Sequence, residues 1–351
     1  MLQSFAIKKL FEAYGKVEII NFSSVKSHQI YDVFPKKRNK NWKTLRNRII
    51  KINALRREAK GYNNFKKHYL GISGKEYFSN NLNEISNKYD ILVVGSDQVW
   101  NVVMYDFDEA FFAYWTDCKK IAYAPSLGGH DIREHSDYKK LVSYIMDFSC
   151  LSVREKQGQK CLEEITGKNV DVVLDPTLAI NEEEWSKYVG APLIEGDYIF
   201  YYSWAYNTKA LLEIVSSERN RTGFPVYVVD ARKWIINNPK YWGYTLSKYE
   251  GPLAFLNLMY YAKKCYVESF HGMIFAYLFK KDFWLLDTNP SIDLMDARLK
   301  DLVELLNVKD RVLTPYNVNS INQDKQIIYD ENKKLGELKI KSCDYIRKSL
   351  S

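Results

Sequence analysis

No stretch of the 351 residues approaches the roughly 18 consecutive apolar positions that a bilayer-spanning helix needs. The five cysteines, Cys118, Cys150, Cys161, Cys265 and Cys343, are odd in number and scattered, with no CxxC pair. They draw neither a disulfide framework nor a zinc site, and such usage suits a reducing compartment. P-loop, GxGxxG and GxSxG patterns are all missing. Their absence argues against a nucleotide kinase, an ordinary dehydrogenase and an α/β-hydrolase. The opening MLQSFAIKKLFEAYGK sets charges inside its apolar stretch and lacks a small-residue cleavage site, so no secretory leader is expected. The expectation is a cytoplasmic protein.

What is present points to a packed, two-domain chain. Apolar residues make up 46% of the sequence and aromatics 15%, enough burial to offset ordering entropy, so disorder is excluded. The length exceeds one ordinary core and suits two. The net charge of +8 is concentrated in residues 36–60, where eleven Lys or Arg face a single acid, Glu58. Trp42, Leu45, Ile49, Ile52 and Leu55 recur there at three- and four-residue spacing, which predicts a basic amphipathic helix. Three readings stay open for it. It is a solvated face, a dock for an anionic membrane or lipid diphosphate, or a nucleic-acid contact. The last is disfavoured because no reading motif accompanies the charge.

Short β-branched runs alternate with helical segments, the pattern of parallel sheets covered on both faces. Strands are expected at 18–22, 91–95, 121–126, 150–154 and 170–175, then at 198–204, 226–230, 265–268 and 283–286. Helices are expected at 136–149, 155–167, 207–221, 252–263 and 270–280. The pattern restarts near residue 195, giving an N-terminal domain at 1–192 and a C-terminal domain at 193–351. A charged helix after Gln326 could cross back to the first domain. The fold class is therefore α/β, with two Rossmann-like doubly wound domains facing a central cleft at the carboxyl ends of their strands.

Small and polar residues gather after those strands. His271 stands where a strand gives way to a helix, beside Ser269 and Gly272. There the free N–H donors of a helix start suit phosphate or carboxylate, and an imidazole can exchange protons near neutrality. A capping or core histidine is the competing reading. Lys280 and Lys281 could bring charge to the same cleft, or be plain surface lysines. Arg154 follows a strand and suits a bidentate anion, or else pairs with Glu155 or Glu183. Gly95, Ser96 and Asp97 read as a strand end with a helix cap, and Asp175-Pro176 as a strand-ending turn. The pair Asp106 and Asp108 forms a DxD, a weak signal for a metal-held sugar nucleotide. Together the positions describe a cleft for a small, multiply charged anion.

DILVVGSDQVWN (90–101), IAYAPSLGG (121–129), LSVREKQG (151–158), VVLDPTLAI (172–180) and ESFHGMIFAYLFKKDF (268–283) resemble, in order and spacing, the polysaccharide pyruvyl transferase family. The resemblance runs from residue 1 to about 290. It implies a GT-B-like pair of domains and transfer of a pyruvyl group from phosphoenolpyruvate to two sugar hydroxyls as a ketal, in surface polysaccharide or exopolysaccharide biosynthesis. Phosphoenolpyruvate is then a co-substrate, with no further cofactor and no metal required. His271 would be the general acid/base, with Asp97 in reserve. Arg154, Lys280, Lys281, Gly95, Ser96, Ser269 and Gly272 would bind the donor. Trp100, Asn101, Asp175, Ser203 and Trp204 would line the acceptor wall. The acceptor is a sugar or lipid-linked oligosaccharide, with peripheral contact at an anionic inner membrane face as an option and no nucleic acid. One departure stands out. The family's opening strand and NYGAxLQ-like loop have no counterpart before MLQSFAIKKL, so a start placed inside a longer protein is expected. Three alternatives remain: a GT-B glycosyltransferase using a sugar nucleotide, a non-catalytic glycan-binding relative, and a use of the basic helix alone, such as membrane scaffolding.

Overall fold

The computed structural model describes residues 1–27, 52–237, 242–325, 327–329 and 331–351, the side chains of 235–237 excepted. Most of the basic stretch, including Trp42, Leu45 and Ile49, lies outside the described residues. The chain divides into two compact units. Of the described residues, the first comprises 1–27, Leu70–Ala179 and Asn332–Ser351, and the second 52–69 and those from Ile180 up to Glu331. The break thus falls at Ala179 and not near 192. The Ile52–Phe65 helix lies with the second unit, and the Lys333–Leu350 helix with the first.

The first unit holds a four-stranded parallel sheet in the order β1-β2-β3-β4, made of Ile91–Val94, Lys119–Ala122, Cys150–Val153 and Asp171–Val172. Parallel neighbours need crossovers, and the Tyr138–Met146 and Lys156–Thr166 helices supply two of them. Successive residues of β2 point to opposite faces. Ile121 packs with Ile7, Phe11, Tyr345 and Ile346 of the two terminal helices. Ala122 joins Trp100, Phe112, Leu141, Phe148 and Leu162 on the other side. The last helix is fastened by Tyr345 OH donating to Ala122 O at 2.7 Å and Ser342 Oγ accepting from Leu174 N at 2.9 Å. The strand expected at 18–22 is reduced to one bridge, Phe22 to Tyr77. Ile20 and Phe22 instead serve a satellite core around Leu82, Ile85 and Trp115.

The second unit has six parallel strands: β5 Ile199–Tyr202, β6 Val226–Val228, β7 Thr245–Leu246, β8 Lys264–Val267, β9 Phe283–Leu286 and β10 Val312–Leu313. Their order across the sheet is β10-β9-β8-β5-β6-β7. Counted within the unit this is 6-5-4-1-2-3, the order of a dinucleotide-binding fold, and it reverses between β5 and β8. Both β8 and β9 are buried along their whole length, which is why they read as unbroken apolar runs. The amino edge of this sheet is closed by ion pairs. Buried Lys264 meets Glu218 at 2.7 Å and Asp282 at 3.6 Å, and buried Arg311 meets Asp282 at 3.2 Å with its guanidinium over Trp284. Ligand chemistry is left to the carboxyl edge.

Candidate functional site

The strand order reverses between β5 and β8, and sheets of this kind bind ligands beyond the carboxyl ends of their strands at such a reversal. After β8 the chain reads Glu268-Ser269-Phe270-His271-Gly272 and enters the Phe270–Leu278 helix. Ser269 is the N-cap, its Oγ accepting Gly272 N–H at 3.0 Å. Gly272 is required by close approach. A Cβ there would lie 3.1 Å from the Tyr202 ring and 2.8 Å from Ser269 Oγ. His271, half-buried on the first turn, is carried by this start.

On the neighbouring strand, Ser203 and Trp204 follow β5. Ser203 Oγ donates to Glu268 Oε2 at 2.8 Å while accepting N–H from Ala205 at 3.1 Å and Tyr206 at 2.9 Å. Tyr201 OH donates to Glu268 Oε1. Burial raises the pKa of Glu268, the Tyr201 and Ser203 hydrogen bonds partly oppose this, and the nearby Asp287 carboxylate adds to it. Ser203 is buried, so it braces the edge and does not form its wall. Trp204 is 58% exposed, with Lys233 Nζ 4.7 Å from its ring centroid.

The first unit brings together a second group. Arg154, after β3, has a side chain only 2% exposed and lies 2.9 Å from Asp175, 3.7 Å from Asp97 and 3.7 Å from Glu155. Burial acts to lower its pKa, but the Asp175, Glu155 and Asp97 carboxylates outweigh burial and hold it above the ordinary value. Ser96 Oγ donates to Asp175 Oδ2 at 3.2 Å, and Thr177 N–H and Oγ1 donate to Asp175 Oδ1 at 2.9 and 2.5 Å. Ser126 Oγ and Leu127 N–H donate to Glu155. Gly95, at φ 135°, passes so close to the Tyr123 carbonyl that no side chain would fit.

Several expectations are corrected by this geometry. Arg154 is paired with Asp175 and lies near Asp97 and Glu155, so its guanidinium is engaged in holding the strand ends together. Asp175 is buried as its partner, and Gly95 and Ser96 belong to the same frame. Lys280 and Lys281 stand past the far end of the Phe270–Leu278 helix, roughly 13 Å from His271 at 1.5 Å per residue. There Lys280 pairs with Glu182 at 3.3 Å and Lys281 Nζ donates to Tyr260 O at 2.7 Å. Neither reaches the carboxyl edge. Trp100 is fully buried, stacked on Phe112, and its Nε1 donates to Phe111 O at 3.1 Å. Asn101 is buried too, braced to Gln98 at 2.7 Å. Asp108 of the DxD caps a turn, accepting from Ala110 N at 2.9 Å and from Ser79 Oγ at 2.5 Å. Of the expected set, His271, Trp204 and the half-exposed Asp97 remain at strand ends with surface to offer.

Glu155 is the pairing partner that the sequence offered for Arg154, whereas Glu268 and the Asp230–Glu250–Glu58 cluster beyond β6 and β7 were not foreseen. Their signal was available in part. Asp230, Glu268 and Asp287 each follow an apolar strand run within two residues. A cavity of about 600 Å³ opens at the opposite edge of the first sheet, lined by Cys150, Asp171, Lys168, Lys341 and Lys348, away from these groups. Among the described residues no group of three or more His, Cys, Asp or Glu is arranged to hold a metal ion. No helix there is long and apolar enough to cross a membrane.

Two parallel-sheet α/β units of Rossmann type, the second with a capped helix and a histidine at its switch point, give the chain a GT-B-like fold. The chain belongs to the polysaccharide pyruvyl transferase family, whose model matches residues 1–290. No curated protein matches it. Among solved structures it is similar to UDP-GlcNAc 2-epimerase from Methanocaldococcus jannaschii, with 14% identity, 82% of this chain and 90% of that chain covered, and a TM-score of 0.50. It is also similar to the E. coli trehalose-6-phosphate structure bound with UDP-2-fluoro glucose (10% identity, 98% and 92% covered, TM-score 0.49). A third is UDP-GlcNAc 2-epimerase from Neisseria meningitidis bound to UDP-GlcNAc (9% identity, 99% and 96% covered, TM-score 0.46). At these identities the likeness concerns the fold alone.

Proposed function

We propose that the protein transfers a pyruvyl group from phosphoenolpyruvate to two hydroxyls of a sugar, forming a ketal in surface polysaccharide biosynthesis and releasing phosphate. The observation that carries this reading is His271 on the first turn of a capped helix at the β5/β8 switch point, in a chain of this family. The helix start supplies N–H donors and a partial positive charge for the donor's phosphate or carboxylate. Arg154, Lys280 and Lys281 are engaged elsewhere, and Lys233 lies over the Trp204 ring that follows β5.

The chemistry balances as follows. The methylene carbon of the donor takes a proton as one sugar oxygen bonds to C2. The bond from C2 to the phosphate oxygen then breaks, and the second sugar oxygen bonds to C2. Of the two hydroxyl protons displaced, one equivalent ends in the new methyl group and the other on phosphate or solvent. His271 takes a proton from an attacking hydroxyl or gives one to the leaving phosphate. The acceptor is a glycan, lipid-linked where the basic stretch 36–60 holds the enzyme at an anionic cytoplasmic leaflet. Calorimetric titration with phosphoenolpyruvate, together with a phosphate assay with and without glycan, tests the reading. Binding with glycan-dependent phosphate release is expected. No donor binding up to millimolar concentration, with a response to a UDP-sugar instead, would favour a glycosyltransferase.

A further inference from the structure

Trp204 is the one exposed tryptophan among the described residues. Trp100, Trp115, Trp185, Trp234 and Trp284 are all buried. A large aromatic left 58% in water forfeits burial that its neighbours gain. Its backbone is nevertheless held firmly. Ser203 Oγ accepts the N–H groups of the two residues after Trp204 and donates to Glu268, which also accepts from Tyr201. Tyr206, left-handed at φ 49° and fully buried, fixes the far side by donating its hydroxyl to Val229 O at 3.0 Å. The indole is thus an exposed ring on a rigid mount, and Lys233 lies against it at 4.7 Å.

The mount stands at the end of β5. Its partner strand β8, paired Tyr202 to Val267, leads four residues later to His271. A flat aromatic surface at that edge recognises a ligand with a complementary flat face. The apolar C–H face of a pyranose is such a surface, and it can lie on the indole face that the Lys233 ammonium does not cover. Phosphoenolpyruvate has no ring, so a ring at this place belongs to the acceptor.

We propose that the Trp204 indole, with the Lys233 ammonium over one face, is a stacking subsite on its other face for a pyranose ring of the acceptor. The subsite depends on the transferase reading for the role of its sugar as acceptor, while the stacking contact stands on the Trp204 geometry. The test uses saturation-transfer NMR with methyl β-D-gluco-, galacto- and mannopyranoside, with UMP as a nucleobase probe. It compares the parent protein with Trp204→Ala and Trp204→Phe, and titrates phosphoenolpyruvate in parallel. At least one methyl pyranoside is expected to show transfer to its C–H face. Its affinity should be weakened about tenfold in Trp204→Ala and largely kept in Trp204→Phe. Melting temperature and donor binding should be unchanged in both variants. Equal pyranoside signals in parent and Trp204→Ala, no pyranoside signal in the parent at 20 mM, or Trp204-dependent binding of UMP alone would each overturn the subsite. Trp204-dependent pyranoside binding without any donor binding would leave the subsite standing and remove the pyruvyl-transfer reading.

Discussion

His271→Ala is expected to lower turnover by ~10²–10⁴-fold, the usual contribution of a positioned acid or base, while the melting temperature stays near that of the parent. Steady-state phosphate release and a thermal melt check this together. An unfolded variant would make His271 a structural element of the helix start. Arg154 behaves differently, because its side chain is buried among carboxylates that depend on it. Arg154→Met should destabilise the fold by about 3–5 kcal/mol by stranding buried charge. Thermal melts of variant and parent measure the loss, and an unchanged melting temperature would count against the ion cluster. The contrast explains what the sequence made legible at the site. His271 needed only local information, a strand end, a serine cap and a glycine. The burial of Arg154 needed partners at 97, 155 and 175 from three strand ends, which no local pattern reveals. The misplacement of Lys280 and Lys281 was readable, since a nine-residue helix carries its far end to the other edge of the sheet.

The Ile52–Phe65 helix shows how one element depends on charge state. It buries Ala54, Leu55 and Phe65 and, unusually, Glu58, the single acid of the basic stretch. Gly61 lets its backbone meet that of Glu250 and Gly251. Glu58 Oε2 accepts Arg232 N–H at 3.1 Å, with Arg232 Nε 3.8 Å from Glu58 Oε1, and Glu250 Oε2 accepts Asp230 N–H at 3.1 Å. Burial and then the Asp230 charge push Glu58 up to about 7, with Arg232 and Lys233 opposing. Burial and then Glu58 push Glu250 up to about 9, Asp230 adding to it and Arg57 opposing. An acid whose pKa rises on folding binds its proton more tightly when folded. The stability it contributes is present below about 4.5 and is lost as pH rises through about 7 and about 9. Thermal stability should therefore fall from pH 5 to pH 9, and Glu58→Gln should flatten that slope. An unchanged slope in the variant would show that the cluster does not govern docking of this helix. Element periods were otherwise well legible. The helices at 138–146, 156–166, 209–222, 252–261 and 270–278 fall within a few residues of expectation. The strands β7 and β10 were not, because each has two residues with no longer apolar run around it, unlike the equally short β4 within 170–175.

For the molecule as a whole, charge and chemistry are separable. Eleven basic residues in 36–60 can attract an anionic surface at ~1 kcal/mol each when close to it, an attraction that salt screens. Replacing four of Lys36, Lys37, Arg38, Lys40, Lys43 and Arg46 by Gln should weaken binding to anionic vesicles at low salt while sparing turnover on a soluble acceptor. Equal vesicle binding by variant and parent would mark the stretch as a solvated face. The central claim is the transfer itself, and the measurement that reaches it most directly is mass spectrometry of glycans incubated with the protein and phosphoenolpyruvate labelled with carbon-13 at C2. The account predicts labelled glycan heavier by pyruvic acid less one water, with one phosphate released per ketal. Unlabelled glycan and no phosphate, under conditions where the same protein transfers a sugar from a UDP-sugar, would contradict it.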